Sequence, residues 1–402
     1  MTDAYVLATA RSPRGKASSS GALAGVTPLS LVEQVMNALV ERAGITPDSV
    51  DQVILGCASQ AGEQGGNIAR TAVLDAGWPS SVPGMTVNRF CSSGLDAIAI
   101  GAGMIRSGEA DVVLAGGVES VSRVPMFTDG GPLWTDPSVV ARIGSVHMGI
   151  AADTVATEFG YTREELDAYG VRTQQLAAAA WKDGRFDASL VPIVDDSGEV
   201  ALAHDEHVRP GTTTEGLAGL APAFAELGAT GQDGLVLRHL RELDMIRHLH
   251  TRGTSPSVAD GAGVVLLGSS AAAERLGLAP RALLKGAASA GSDPVRMLLS
   301  GQDATVRVLE RFGLAPSDVD VMEFAEAFAA LCVKIQRELG FSEEVFNPNG
   351  GTIAMGHAFG ATGAILLAGC VDELDRRHGR YGVVAISGAA GSGTAMLVER
   401  VA

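Results

Sequence analysis

The sequence predicts an α/β protein in which helices pack on mostly parallel or mixed sheets. Short apolar runs alternate with segments of helical period, which is the pattern of βαβ units. Aromatic residues make up only 4% of the 402 residues while Gly numbers 51, so small aliphatic side chains must form the core. This composition favours closely packed helices on sheets over an aromatic-rich β-sandwich. The length suits two or three layers that share large cores.

Elements in the first half follow this alternation. The predicted strands are residues 5–9, 53–56, 85–88 and 111–114. The predicted helices are residues 29–43, 67–76 and 92–107, and Ala115-Gly116-Gly117 is expected to form a turn. The strand at 85–88 runs directly into Cys91, which therefore precedes a helix of small residues.

The middle of the chain breaks the alternation. Residues 121–250 combine polar helices, including 163–183, with scattered Pro, Gly and charge, so we interpret them as an insertion over the core. Beyond them, strands are predicted at 263–268, 282–290, 319–322 and 383–387, and helices at 304–312, 324–338 and 361–377.

The two halves of the sequence echo each other. In both, a Gly-rich turn opens a helix of small residues, as in CSSGLDAIAIGAGMI from residue 91 and GHAFGATGAILLAGC from residue 356. A strand that ends in Gly and Ser or Ala follows each helix. Internal duplication explains the echo, although a bias toward Ala and Gly also produces such patterns.

Charge and cysteine spacing narrow the classes of function. Asp plus Glu total 46 against 30 Lys plus Arg, and the net charge of −16 disfavours non-specific nucleic-acid or membrane binding. An anionic substrate then needs a local basic patch. No apolar run approaches the roughly 20 residues of a membrane span, and residues 1–16 lack the regions of a secretory signal. No CxxC spacing occurs, so we expect a reducing cytoplasm, no disulfide framework and no zinc site.

The remaining cysteines and several histidines have simpler interpretations. Cys57, Cys332 and Cys370 lie in apolar or helical contexts and are expected in the core. His239, His248 and His250 have no Asp or Cys partner at a recognisable ligand spacing, so no metal is expected there.

Cys91 is the candidate nucleophile. It lies where a strand ends and a helix begins, and the backbone N–H groups and dipole of such a terminus stabilise a thiolate and lower the thiol pKa. Ser92, Ser93 and Gly94 leave room for a substrate above the sulfur. By itself, this local pattern also fits a small buried cysteine without chemical function.

His357 is the candidate partner of that thiol. It lies in a Gly-rich loop that opens a later helix, where backbone can approach a ligand closely. A histidine there can act as a base toward a thiol or polarise a carbonyl. Considered alone, His357 would be expected only to bond backbone, and it is Cys91 that favours the chemical role.

Taken together, the motifs resemble the thiolase family in their order along nearly the whole chain. They are Cys91-Ser92-Ser93-Gly94-Leu95, Gly-Gly-Val-Glu-Ser at 116–120, His147-Met148-Gly149, Lys-Asp-Gly-Arg-Phe at 182–186, Asp260-Gly261-Ala262, Glu326-Ala327-Phe328-Ala329, and Asn349-Gly350-Gly351 with Gly356-His357. The resemblance implies an acetyl-CoA C-acyltransferase, which exchanges acyl groups between CoA thioesters.

The resemblance also implies roles for individual residues. Cys91 would carry the acyl group, while His357 would activate Cys91 and help to bind the thioester oxygen. Gly391, with the N–H of Cys91, would form a second oxyanion hole, and Glu326 and Ser387 complete the implied catalytic set. The implied substrate-binding residues are His147 and Met148 at the acyl pocket, Arg209 near the CoA nucleotide, and Thr254, Ser255 and Phe328.

The implied architecture is a five-layered α/β/α/β/α fold of two similar halves with mixed sheets. An N-terminal half would comprise residues 1–121 plus 251–271, a loop domain over the CoA site 122–250, and a C-terminal half 272–402. Coenzyme A would be a substrate, with no permanently bound cofactor and no metal. The expected partners are an acyl-CoA or 3-ketoacyl-CoA and further copies of the chain, in a homodimer or homotetramer.

Several positions depart from the family pattern. Ala325 stands where the family usually has an Asn that holds a water in the first oxyanion hole, and losing one oxyanion donor typically costs about 100- to 1,000-fold in rate. Ser387 replaces a second cysteine, and its hydroxyl is far less acidic than a thiol of pKa about 8.5. Pro256 replaces a Ser often used near the CoA pantetheine.

A further departure is a longer stretch between residues 222 and 253. Its basic residues are Arg238, His239, Arg241, Arg247, His248, His250 and Arg252. The stretch fits either contact with CoA phosphates or a solvated surface helix.

Three hypotheses follow. The first is thiolytic cleavage of a 3-ketoacyl-CoA, as in fatty-acid β-oxidation, through an acyl group on Cys91. The second is a thioesterase or transacylase that keeps the acylated cysteine, which Ala325 and Ser387 motivate. The third is a non-catalytic thiolase homologue that binds acyl-CoA, which retention of Cys91 and His357 disfavours.

Overall fold

The structure, a computed structural model, describes residues 2–401. Its strands are β1 (Tyr5–Arg11), β2 (Gly15–Lys16), β3 (Gln52–Gly56), β4 (Gly84–Val87), β5 (Val112–Glu119), β6 (Ile193–Val194), β7 (Val200–Leu202), β8 (Ala259–Gly268), β9 (Ala282–Gly291), β10 (Val321–Phe324), β11 (Tyr381–Ser387) and β12 (Ser392–Arg400).

The α-helices are α1 (Pro28–Ala43), α2 (Ile68–Asp75), α3 (Ser93–Ser107), α4 (Pro132–Thr135), α5 (Pro137–Ile143), α6 (Met148–Glu158), α7 (Arg163–Lys182), α8 (Thr214–Ala218), α9 (Ala225–Leu227), α10 (Asp233–His239), α11 (Ser270–Leu276), α12 (Ser300–Arg311), α13 (Ala329–Leu339), α14 (Thr352–Met355) and α15 (Phe359–Arg377). No helix within residues 2–401 is long and apolar enough to cross a membrane.

The main sheet is mixed and consists of two halves joined edge to edge. Its strand order is β10-β11-β12-β9-β1-β8-β5-β3-β4. The join is short, because only Tyr5 and Val6 of β1 pair with β9. β3 runs parallel to β4 and β5, and β10 runs parallel to β11, whereas β8, β9 and β12 pair antiparallel with their neighbours.

Helices on both faces of each half complete five layers. α1 packs on β1 and β8 outside the first half, and α12 packs on β9 and β12 outside the second. Between the halves, α3 packs on β3 and β5, while α15 contacts β5 and β8 on one side and β10 and β11 on the other. The predicted five-layered α/β/α/β/α fold is confirmed. The two helices of the sequence echo, α3 and α15, are neighbours in the central layer.

Strand alternation divides the core between the layers. In β5, Val112 and Leu114 join the outer core with α1, whereas Val113 and Ala115 join the central core with α3 and α15. Successive side chains of a strand point to opposite faces, so a strand buried on both faces needs a continuous apolar run. The same division holds in β11, where Val384 faces the central layer.

Two local predictions are wrong. Gly116 and Gly117 form no turn but lie inside β5. The need for glycine comes from neighbouring backbone: a Cβ on Gly116 would come within 2.0 Å of Gly263 O, and one on Gly117 within 2.1 Å of Gly360 O. Glycine there permits close packing of backbone. The helix predicted at 324–338 begins only at Ala329, because Phe324 pairs with Ala385 as the last residue of β10.

The insertion between β5 and β8 carries α4 to α10 and the small β6–β7 hairpin. Its helices α6 and α7 pack on α13, and α7 also packs on α14. It therefore covers the C-terminal half beside the loops that precede α13 and α15. The domain limits drawn from the sequence stay a prediction.

Candidate active site

The starts of α3 and α15 meet in the central layer. A Cβ on Gly94 would lie 2.4 Å from Gly360 O, and one on Gly363 would lie 2.6 Å from Leu95 N. The first turns of the two helices therefore touch through backbone. Cys91 and His357 stand immediately before these turns, so the crossing brings the two loops that carry them to one place.

Cys91 has a protonated thiol at neutral pH. Its side chain is buried, and the backbone N–H of Ala389 lies beside it in the same pocket. Burial and then the charge of Glu119 raise the pKa of Cys91 to about 12, although this N–H and that of Cys91 itself oppose the rise. The helix start was expected to lower this pKa. Burial outweighs it, because a thiolate loses its hydration there.

His357 is neutral in the same range. Burial, and then the nearby charge of Arg14, lower the pKa of His357 to about 4. Its Nδ1 lies 2.9 Å from Thr362 Oγ1 in the first turns of α15, which fixes the ring and leaves Nε2 for a reacting group. Arg14 also donates to Gly356 O at 3.3 Å and thereby holds the loop. The resting pair is thus a thiol and a neutral imidazole, which can take up the thiol proton.

Ala389, two residues before Gly391, lines the same pocket as Cys91. Gly391 has a φ of 74°, its carbonyl accepts from Ser292 N at 2.8 Å, and a Cβ on it would lie 2.2 Å from Ser292 O. Gly391 therefore shapes the turn, and its predicted part in the second oxyanion hole stays a prediction.

Ser387 is engaged in backbone contacts. Its buried hydroxyl donates to Leu298 O at 2.6 Å and accepts from Gly301 N at 3.0 Å, near the start of α12. The proton that an acid/base residue would have to move is committed to a carbonyl. These contacts give the hydroxyl a structural role, and its predicted catalytic role stays a prediction.

Glu326 joins the insertion to the His357 loop. Its buried carboxylate accepts from Tyr169 Oη at 2.8 Å, from Thr173 Oγ1 at 2.9 Å and from Ile353 N at 3.0 Å. Burial raises the pKa of Glu326, although these donors oppose the rise. Ala325, which precedes it, is 1% exposed and offers only a methyl group. These contacts place Glu326 in support of the site.

Of the predicted acyl-pocket residues, Met148 lines the pocket that holds Cys91. His147 caps α6 by accepting from Gly149 N at 3.1 Å, and it lines the adjoining cavity. The other predicted substrate-binding residues lie elsewhere: Thr254 Oγ1 accepts from Thr251 N at 2.8 Å in a buried turn, and Phe328 packs against Phe224 and His250. Ser255 Oγ is buried without a protein partner.

Arg209 lies on a surface cleft with Arg252, Thr212 and Thr213. Arg252 is the residue of the basic stretch that joins it there. His248 and His250 instead bond to Asp153, with Nδ1 to carboxylate distances of 3.0 and 2.7 Å. Within residues 2–401, no group of three or more His, Cys, Asp or Glu side chains is arranged to hold a metal.

Several supporting residues escaped the sequence analysis. Glu119, at the end of β5, accepts from Ala58 N at 2.9 Å and from Gly360 N at 3.0 Å, so it ties the loop after β3 to the start of α15. Its place in the Gly-Gly-Val-Glu-Ser motif was visible, but its partners were not. Thr362 and Ala389 carried no motif of their own. Cys57, Cys332 and Cys370 are buried, which confirms their predicted place in the core.

Comparison with known proteins decides the family. The thiolase N-terminal domain matches residues 4–232, and the thiolase C-terminal domain matches residues 278–400. The chain belongs to the thiolase family. It is an acyltransferase of this family.

Relatives and solved structures agree over the full length. The chain is 38% identical to a β-ketoadipyl-CoA thiolase of Pseudomonas putida over 100% of both chains. It is 37% identical to a 3-ketoacyl-CoA thiolase of Bacillus subtilis, over 99% of this chain and 100% of that one. The crystal structure of the Bacillus anthracis acetyl-CoA acetyltransferase aligns with a TM-score of 0.86 at 34% identity, over 100% of this chain and 99% of that chain.

Proposed function

We propose that this thiolase cleaves a 3-ketoacyl-CoA with coenzyme A, through an acyl group carried on Cys91. The observation that carries the proposal is the crossing of α3 and α15, which unites the loops of Cys91 and His357. The relatives are named as thiolases for 3-ketoacyl-CoA and β-ketoadipyl-CoA and as acetyl-CoA acetyltransferases, which supports this reaction class.

The first half-reaction starts from the neutral pair. As Cys91 Sγ attacks the 3-keto carbon, His357 Nε2 accepts the thiol proton, so no free thiolate of high pKa accumulates. The N–H groups of Cys91 and Ala389 face the developing oxyanion. The Sγ–C3 bond forms, the C2–C3 bond breaks, and C2 takes the proton from His357, which releases acetyl-CoA and returns His357 to its neutral form.

The second half-reaction transfers the acyl group to coenzyme A. The thiol of coenzyme A gives its proton to His357 and attacks the thioester, and Cys91 leaves as a thiolate that recovers the proton. Arg209 and Arg252 supply positive charge on the surface cleft, which an acidic chain needs to bind the phosphates.

Intact-mass spectrometry tests the two half-reactions separately. The wild type incubated with a 3-ketoacyl-CoA is expected to gain the mass of one shortened acyl group, which added coenzyme A then removes. Cys91→Ala is expected to gain nothing, whereas Cys370→Ala, which removes a buried cysteine in the second half of α15, keeps the adduct. Thiolysis by Cys91→Ala at the wild-type rate would overturn the proposal.

A second candidate is a thioesterase or transacylase, which the engaged hydroxyl of Ser387 and the methyl of Ala325 favour. Free carboxylic acid released from a simple acyl-CoA, at a rate unaffected by coenzyme A, would establish it. Absence of free acid would exclude it.

We also propose that the enzyme is at least a homodimer. β4 is an edge strand of the main sheet, and beside it Leu74 of α2 and Met85 of β4 are 49% and 36% exposed. An open edge with apolar neighbours is a common pairing surface. Light scattering is expected to give at least twice the chain mass, and Met85→Glu should shift the enzyme toward the monomer.

A further inference from the structure

We infer that the acyl pocket of this enzyme accepts uncharged, apolar acyl tails longer than acetyl and rejects tails that end in a carboxylate. We also infer that Trp134 sets the accepted length. The inference rests on the proposed function, and it concerns the part of the substrate that stays on Cys91 after acetyl-CoA leaves.

The wall of the pocket beside Cys91 is aromatic and aliphatic. Met126 and Met148 line it together with the rings of Phe90, Phe127, Trp134 and Phe359. Trp134 packs edge-on against Phe90, with ring centroids 5.9 Å apart, and against Phe127 at 4.8 Å. An acetyl group needs no such surface, whereas each added methylene of a longer tail gains from contact with it.

Backbone strain is concentrated on this wall. Phe90, Phe127 and Phe359 have φ values of 50°, 69° and 29°, in the region that bulky residues rarely adopt. A residue in such a conformation costs about 1–3 kcal/mol, and such residues cluster at ligand-binding sites. Three phenylalanines held in this way around one cysteine indicate that their rings are positioned for a ligand.

The charges around the pocket disfavour an acidic tail. Among residues 2–401, the side chains that line this pocket include Asp129 but no Lys or Arg. The adjoining cavity contains no Lys or Arg either, and burial lowers the pKa of His147, which lines it, so that ring is neutral. A terminal carboxylate would enter without a counter-charge, and the charged side chain in the lining, that of the exposed Asp129, has the same sign.

Trp134 stands between the two cavities together with Phe127 and Met148. Phe127, Trp134 and Met148 line both the Cys91 pocket and the cavity behind it. The far cavity is lined by apolar side chains, including Leu133, Val140 and Val146, and by the uncharged polar side chains of Thr135, Ser145, His147 and Gln232. Removal of the indole would join the two spaces into one channel.

A pair of substrates of equal carbon number tests the charge preference. 3-Oxohexanoyl-CoA and 3-oxoadipyl-CoA differ only in a terminal methyl or carboxylate, and the wild type is expected to favour the first by at least about 100-fold in kcat/KM. Asp129→Lys should narrow that ratio by about tenfold. Glu109→Lys is the matched control, because it makes the same charge change at the far end of α3 and should leave the ratio unchanged.

A second series tests the length limit. Trp134→Ala is expected to raise kcat/KM for 3-oxododecanoyl-CoA about tenfold relative to 3-oxohexanoyl-CoA, while Trp134→Phe should give an intermediate ratio. Equal or better cleavage of 3-oxoadipyl-CoA by the wild type would overturn the charge inference, and an unchanged length ratio in Trp134→Ala would overturn the length inference. If Cys91 is not acylated by any 3-ketoacyl-CoA, it is the proposed function that fails.

Discussion

Replacement of Ser387 by Ala distinguishes a structural hydroxyl from a catalytic one. The hydroxyl makes two buried backbone contacts, to Leu298 O and from Gly301 N. Its loss leaves both groups without that partner and is expected to lower the free energy of unfolding by about 2–3 kcal/mol. For a chain of 402 residues, that corresponds to a fall of roughly 3 °C in Tm.

The activity of the same variant carries the sharper test. Because the proton of Ser387 is committed to a carbonyl, stopped-flow rates of acylation and of transfer to coenzyme A are expected to stay within about threefold of the wild type. Ser300→Ala is the matched control, since it removes a neighbouring buried hydroxyl that donates to Ser392 O at 2.8 Å. A loss of about 100-fold or more in transfer to coenzyme A alone, with Tm unchanged, would refute this reasoning and make Ser387 the proton carrier.

Three further predictions follow from the electrostatics of the site and core. Since the pKa of Cys91 is about 12, its alkylation by iodoacetamide should accelerate about tenfold per pH unit from pH 7 to 10. The alkylation rate of glutathione, the control thiol, should level off near its pKa of about 9. A plateau in the rate for Cys91 below pH 9 would contradict the raised pKa. Thr362→Val removes the partner of His357 Nδ1 and should slow acylation about 10- to 100-fold with little change in Tm, whereas Thr362→Ser should recover most of the rate. Asp205→Asn breaks its buried ion pairs with Arg11 and Arg14 and should cost about 3–5 kcal/mol in denaturant unfolding, against almost nothing for the exposed Asp244→Asn. Burial alone would raise the pKa of Asp205, but the two guanidiniums lower it to about 2. The ionised carboxylate therefore stabilises the folded state above pH 4, and this stabilisation is lost as the pH falls toward 2. Asp205→Asn should remove this part of the acid dependence of the free energy of unfolding.

Much of the fold could be predicted from local patterns. Continuous apolar runs such as 53–56 became strands buried on both faces, and the helix predicted at 163–183 is α7, which begins with a Thr162–Glu165 capping box. The glycines of β5 were misplaced in a turn. Whether a glycine bends a chain or lets another backbone approach depends on the partner, here Gly263 and Gly360, which is remote in sequence.

In the candidate site, too, some features could be predicted from local patterns and others could not. Cys91 and His357 stood out because each precedes a helix of small residues within an ordered set of motifs. The protonation states of these two residues could not be predicted from the sequence, because burial decides them. Burial raises the pKa of the thiol and lowers that of the imidazole. The helix start alone would lower the pKa of the thiol.

Motif order and periods of two and 3.6 residues were enough to predict the α/β fold, the thiolase resemblance and Cys91 and His357 as candidate reacting residues, because these patterns are local. Which groups surround Cys91 and His357 follows only from the folded chain. Ala389 and Trp134 line the pocket that holds Cys91, and Ser387 is held by Leu298 and Gly301. These contacts join residues far apart in the chain, and their energies depend on distance and burial, which no local pattern records.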